Sequence, residues 1–195
     1  RYILPGGDRR ITGEETFWTL PVDARIWFQA EQGPWRIDYE APYRSSLVRE
    51  LAPGQLMAMP VTAKLPDGTY AVMTEANVVD YTDSAIVYRG DGKFGVEYYA
   101  DPTGFNQAGA GTTPWRVFVT AKDLQTLSTT DIVRRLCPET EHPLTERFAG
   151  AGRCIWHWLP MGDPIFDEQK DWYDKAAELG FEYYLIDEGW RKWGD

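Results

Sequence analysis

The chain has 195 residues, 43% of them hydrophobic, which allows one or two domains with a packed core and excludes a disordered chain. Thirty acidic residues against twenty basic ones give a net charge of −10 with no Lys/Arg cluster to offset it. That balance disfavours nucleic acid and anionic membrane surfaces as partners, and no apolar run reaches the roughly 18 residues of a membrane span.

From residue 1 to about 121 the chain reads as β-structure. Short runs rich in Val, Ile, Tyr, Trp and Phe alternate with turn signals. In order they are RIWFQ (25–29), WRIDYE (35–40), QLMAMPVTAKL (55–65), TYAVMTEA (69–76), SAIVYRG (84–90), FGVEYYA (94–100) and WRVFVTA (115–121). PDG at 66–68 and GDG at 90–92 both contain Asp-Gly, which accepts positive φ, so a hairpin is expected at the first of them. Several antiparallel strands joined this way predict a sandwich. Residues 122–151 read as a linker with one short helix near Thr130–Leu136, followed by a polar stretch broken by Pro and Gly.

The grammar then changes. RCIWHWLP (153–160) predicts a strand, DPIFDEQKDWYDKAAELG (163–180) a helix and FEYYLI (181–186) a second strand, the order and length of a βαβ unit with parallel pairing. Trp172, Tyr173, Ala176, Ala177 and Leu179 share roughly one helical face, and Asp171 and Lys175 form an i,i+4 pair. Asp167 and Glu168 suit the helix amino terminus, and Gly180 sits where a helix-ending glycine belongs.

Ligands of parallel α/β folds bind at the carboxyl ends of the strands. Trp158 leaves the first strand there, and Asp187, Glu188 and Trp190 leave the second, so the four could line one site. Carboxylates accept hydrogen bonds from hydroxyls, and indoles pack on the apolar faces of sugars. On spacing alone, Asp187 is also a plausible N-cap and the tryptophans plausible packing residues under a loop. A dinucleotide site is excluded, because LPMGDP offers a lone Gly162 where three glycines are needed. The pairs Gly109/Gly111 and Gly150/Gly152 read as flexible loop. His157, between two tryptophans, reads as a packed or hydrogen-bonded histidine, and Cys137 and Cys154 form no zinc or CxxC pattern.

Several segments together resemble glycoside hydrolase family 97. They are EETFWTLP (14–21), TEANVVDY (74–81), TPWRVFV (113–119), GRCIWHW (152–158) and AAELGFEYYLIDEGW (176–190), in the family's order along nearly the whole chain. The resemblance implies a mixed fold: an antiparallel β-sandwich (1–121) followed, after the linker, by the start of a (β/α)8 barrel (152–195). It implies hydrolysis of oligosaccharides or other α-glycosides, as α-glucosidase or α-galactosidase, with an active-site calcium. Asp187 and Glu188 would then contact substrate, Trp158 and Trp190 would shape the innermost subsite, and Glu75 would be the sandwich's carboxylate on calcium, an oxygen ligand of the kind calcium takes. The alternative for Glu75 is a surface acid at a strand end.

A barrel needs about 250 residues, so the resemblance makes this chain a piece of a longer enzyme, inactive alone, with the general acid and base on later strands. It also implies a bacterial periplasmic or secreted setting. The rival readings are a non-catalytic carbohydrate-binding sandwich and a supporting structural domain.

Overall fold

The computed structural model describes residues 1–30, 41–99, 101–139, 150–162, 164–187, 190 and 193. The strand expected at 35–40 and the site residue Glu188 lie outside the described residues. Contacts divide the chain into two compact units, Arg1–Glu139 and Thr140–Asp195.

In the first unit the strands are β1 (Ile3–Leu4), β2 (Arg9–Ile11), β3 (Phe17–Thr19), β4 (Arg25–Phe28), β5 (Arg44–Leu47), β6 (Leu56–Met57), β7 (Val61–Lys64), β8 (Tyr70–Ala76), β9 (Ser84–Gly90), β10 (Lys93–Tyr98), β11 (Phe105–Gln107), β12 (Gly111–Thr112) and β13 (Trp115–Ala121). Two short helices follow, α1 (Leu124–Ser128) and α2 (Ile132–Leu136). They form an antiparallel sandwich. One sheet has the order β3-β10-β9-β6 and the other β13-β8-β7-β4-β5, with the small pairs β1-β12 and β2-β11 beside them.

Alternation explains the layers. Along β8, Ala71 and Met73 are buried while Val72 and Thr74 are only partly covered, because successive side chains point to opposite faces. Ile26 and Phe28 of β4, Val61 of β7 and Met73 of β8 meet Met57 of β6, Ile86 of β9 and Phe94 and Val96 of β10 in a single core shared by both sheets. Each such large apolar side chain contributes about 1.5–3 kcal/mol when fully buried.

The expected hairpin is present, β7 pairing with β8 around Leu65–Thr69. Asp67 caps the turn by accepting the Thr69 N–H at 2.9 Å, and Gly68 takes φ +89. The second Asp-Gly turns β9 into β10 with Asp91 at φ +50 and Gly92 at φ +77, the two positive angles a type I′ turn requires. A Cβ on Gly92 would lie 2.2 Å from the Leu20 carbonyl oxygen, so glycine is needed there twice over.

The segment 55–65 is not one strand. It splits at Pro60, and β6 belongs to one sheet while β7 belongs to the other, so the chain changes layers at that proline. Residues 122–139 carry two helices in place of the single one expected, and both pack on the sandwich, α1 against β8 and β13 and α2 against β8. Asp123 caps α1 through the Thr126 N–H at 2.7 Å.

The second unit contains β14 (Cys154–Trp156), α3 (Trp158–Met161), α4 (Phe166–Glu178) and β15 (Tyr183–Leu185). β14 and β15 pair in parallel, Cys154 opposite Tyr183 and Trp156 opposite Leu185, with α4 as the crossover. Gly180 ends α4 at φ +72. The Phe181 N–H returns to the Ala176 carbonyl at 2.9 Å and the Gly180 N–H to Ala177 at 3.0 Å, which is the Schellman pattern. The helix buries Gln169 and Ala176 on the side that carries Trp172, while Tyr173, Ala177 and Leu179 are exposed, so the packed face is narrower than the spacing suggested. Its ion pairs are Lys170–Asp174 at 2.7 Å and Lys175–Glu178 at 2.6 Å, not Asp171–Lys175. Gly152 is no spacer: a Cβ there would meet Glu182 Cβ at 2.6 Å and the Tyr183 ring at 2.7 Å, so only glycine lets the start of β14 run so close to β15. Cys137 and Cys154 are both free thiols. Among the described residues no helix is long and apolar enough to cross a membrane.

Candidate functional site

The parallel pair β14–β15 has two faces. Tyr184 and His157 lie on the face toward α4: the Tyr184 hydroxyl donates to Gln169 Oε1 at 2.7 Å, and the buried His157 ring packs against Trp172 and Tyr184. Its packed environment agrees with the sequence reading, and its Nδ1 has no hydrogen-bond partner among the described residues. The opposite face receives the alternate residues, Trp156 of β14 and, beyond Leu185 of β15, Asp187.

There the indole N–H of Trp156 donates to Asp187 Oδ2 at 2.8 Å. The Trp156 ring also stacks on that of Trp158, with centroids 6.1 Å apart and planes 10° from parallel. Both rings keep about two-fifths of their surface open, 40% for Trp156 and 39% for Trp158. The group therefore combines an exposed aromatic platform with a carboxylate held at its edge. Hydroxyls can donate to that carboxylate while the C–H face of a ring rests on indole.

Of the four residues expected at this end, the structure brings Trp158 and Asp187 to one shared neighbour, Trp156. Trp190 is 59% exposed, and its side chain makes no hydrogen bond or ring contact among the described residues. Trp158 does not prolong the strand; it opens α3 directly after His157. Sequence reasoning left out Trp156. The signal was the alternation of Trp156 with His157, which sets this tryptophan on the face opposite the packed histidine.

Glu75 lies in the first unit, and it is no surface acid. On β8 it pairs in register with Arg116 of β13, and Arg116 Nη1 donates to Glu75 Oε2. The same oxygen accepts from Ser84 Oγ at 3.0 Å. Arg116 also forms a two-pronged pair with Glu14, Nε to Oε1 at 2.8 Å and Nη2 to Oε2 at 2.7 Å. Tyr98 joins through its hydroxyl to Glu14 Oε2 at 3.4 Å and to the Tyr81 hydroxyl at 2.8 Å. Ser84 and Tyr98 belong to one sheet, Glu75 and Arg116 to the other, so the network fastens the two layers together. The Arg116 and Glu14 side chains are 4% and 5% exposed, and Glu75 is 14% exposed.

Burial pushes the Glu75 carboxyl above its ordinary range, and the attraction of Arg116 and the Ser84 hydrogen bond only partly offset it. Burial also works against the Arg116 cation, but the hydrogen bond and charge of Glu14, with the charge of Glu75, more than compensate and hold it above its usual value. The two directions agree once the guanidinium is seen to be committed first to Glu14. Two carboxylates against one guanidinium leave the cluster one negative charge in excess when all are ionised. That excess, with hard oxygen donors, fits a contribution to a cation site, although a cation would share the Glu75 carboxylate with Arg116. Among the described residues no group of three or more His, Cys, Asp or Glu side chains is placed to hold a metal by itself.

Comparison with known proteins gives these features a context. Residues 1–138 match the family described as Glycosyl-hydrolase 97 N-terminal. A curated relative from Streptomyces bingchenggensis (strain BCW-1), named a probable retaining alpha-galactosidase, is 29% identical over 195 residues; the match takes in 97% of this chain and 29% of the relative. Among solved structures, a Glycoside Hydrolase Family 97 enzyme from Pseudoalteromonas sp. strain K8 in complex with acarbose superposes with a TM-score of 0.69 at 24% identity, over 97% of this chain and 31% of that one. A variant of an enzyme from the same strain in complex with panose gives the same score, identity and coverage. At that identity the superposition speaks for the fold, and this chain spans less than a third of the length of each relative. The family match covers well over half of the residues, including both sheets of the sandwich and the Glu14–Arg116–Glu75 cluster, and the chain therefore belongs to glycoside hydrolase family 97.

Proposed function

We propose that this chain is part of a glycoside hydrolase that cleaves α-linked glucosides or galactosides, and that the carboxyl ends of β14 and β15 form part of its sugar site. The observation that carries the reading is the Asp187 carboxylate held beside the stacked, half-open Trp156 and Trp158 rings. Family membership supports the hydrolase, and the relatives' names support the α-linked substrate. In this reading β14–α4–β15 opens a (β/α)8 barrel spanning 152–195 and onward, the sandwich is the amino-terminal domain, and the enzyme works in the bacterial periplasm or outside the cell.

Asp187 accepts hydrogen bonds from sugar hydroxyls and so fixes the ring's rotation. Trp158 bears the apolar face of the ring and excludes water from it. Glu188 and Trp190 are proposed to extend the same subsite. Glycoside hydrolysis needs an acid to protonate the leaving oxygen and a second carboxylate acting as base or nucleophile. Neither role is assigned to a residue of this chain; both are proposed to lie elsewhere in the enzyme. Glu75 is the proposed calcium ligand of the sandwich, supplying one hard carboxylate of the kind calcium takes.

Assay of the full-length protein on 4-nitrophenyl α-D-glucopyranoside and α-D-galactopyranoside tests the proposal. Release of nitrophenol from at least one is expected, with a lower rate after chelation by EDTA and none from residues 1–195 alone. Turnover of neither substrate by the full-length protein contradicts the reading.

A further inference from the structure

We infer that Trp156 is the positioning residue of the sugar site, setting the direction of the Asp187 carboxylate and the tilt of the Trp158 ring. The inference rests on the saccharide reading and adds to it a residue that has no need to touch substrate.

The geometry gives Trp156 two partners and two separate means of holding them. Its N–H is the donor to Asp187 Oδ2 at 2.8 Å, within the range of a charge-assisted hydrogen bond. Its ring face, 6.1 Å from that of Trp158 and within 10° of parallel, forms the other contact. Trp156 stands on the paired strand itself. It is the last residue of β14, locked in register opposite Leu185, whereas Asp187 lies beyond the end of β15 and Trp158 on the one-turn helix α3. A two-χ aromatic on a paired strand is a stiffer support than either segment it steadies. The strand below is pinned as well: the Arg153 N–H donates to Glu182 Oε2 at 2.7 Å, and the Arg153 guanidinium bonds the same carboxylate and the Gly180 carbonyl. A carboxylate free to swing would spend part of its time turned away from a sugar hydroxyl. Fixing it in advance raises affinity without adding a contact.

Two ways of failing are separable, because ring and donor are carried by different atoms. Trp156→Phe keeps an aromatic surface under Trp158 and removes the N–H. Asp187→Asn removes the charge that the N–H directs. A double-mutant cycle on the full-length enzyme, with KM and kcat measured on 4-nitrophenyl α-D-glucopyranoside or α-D-galactopyranoside, reads the coupling. Trp156→Phe is expected to raise KM about tenfold with kcat within about threefold. In an Asp187→Asn background the same change is expected to add less than about twofold, since the uncharged amide left to aim is a much weaker acceptor for sugar hydroxyls. A general packing role would instead give losses that multiply, and that result overturns the inference. If Trp156→Phe is inert while Asp187→Asn is not, the positioning role fails and the site stands. If Asp187→Asn is itself inert, both fail. Thermal unfolding of each variant accompanies the kinetics, and a KM change that tracks the loss of melting temperature also counts against the inference.

Discussion

Replacing Arg116 with methionine is expected to cost the sandwich about 3–5 kcal/mol, the range seen when one partner is removed from a buried ion pair. The size follows from what remains. Glu14 and Glu75 would stand in the same nearly closed space with no guanidinium between them, and both the two-pronged bond to Glu14 and the bond to Glu75 would vanish. Loss of that order corresponds to a fall of roughly 10–15 °C in melting temperature for a domain of this size. Glu75→Gln should behave in the opposite sense. The folded state holds the Glu75 carboxyl above its ordinary value of 4.5, so it favours the proton more than the unfolded chain does. The stability attached to that proton is fully present below pH 4.5 and declines as pH rises through the higher folded value. Glu75→Gln removes this decline, and at neutral pH it leaves the sandwich as stable as before or more so. Thermal melts of the three proteins from pH 4 to 8 decide the point. A wild-type-like Arg116→Met would show that the cluster is not the clamp described, and a Glu75→Gln that loses stability at pH 7 would show that burial does not hold the Glu75 carboxyl above its ordinary range.

The second large effect concerns catalysis. Asp187→Asn is expected to lower kcat/KM of the full-length enzyme about 100-fold on aryl α-glycosides. A hydrogen bond to a charged acceptor contributes about 1.5–3 kcal/mol, and each 1.4 kcal/mol is tenfold. The amide is nearly the same shape, so the fold should survive: Asp187 is only half-buried. It still offers an oxygen to the Trp156 indole, but loses the charge that strengthens bonds from sugar hydroxyls. Steady-state kinetics against both the glucoside and the galactoside measure it. A change below about threefold on both would remove Asp187 from the site.

Local rules made some parts of this structure legible in the sequence, and long-range pairing hid others. The turns at Asp67-Gly68 and Asp91-Gly92 and the helix end at Gly180 depend on a few neighbouring residues with a fixed need for positive φ, and each is found where it was expected. The parallel β14–α4–β15 unit was readable for the same reason, from strand, helix and strand in a short span. The change of sheet at Pro60 was not, because a proline announces that pairing is interrupted without saying which layer comes next. The buried cluster was invisible. Arg116 and Glu14 are 102 positions apart, and nothing in either local sequence marks them as partners. Glu75 was singled out by family likeness alone, which could not show that Arg116 occupies one of its oxygens. The helix face was drawn too wide because five apolar residues within one stretch need not all meet the sheet; only the line through Gln169, Trp172 and Ala176 does. Trp156 was legible in part, since its alternation with His157 sets it on the open face, but nothing in the local sequence marks Asp187 as the partner of its indole N–H.

That the carboxyl ends of β14 and β15 hold a sugar is tested most directly by a crystal structure of the full-length protein in complex with acarbose. The account predicts a saccharide hydroxyl within about 3.2 Å of an Asp187 carboxylate oxygen, with a ring of the ligand lying against Trp158. A well-ordered saccharide bound in the enzyme with Asp187 and Trp158 both out of contact would contradict it.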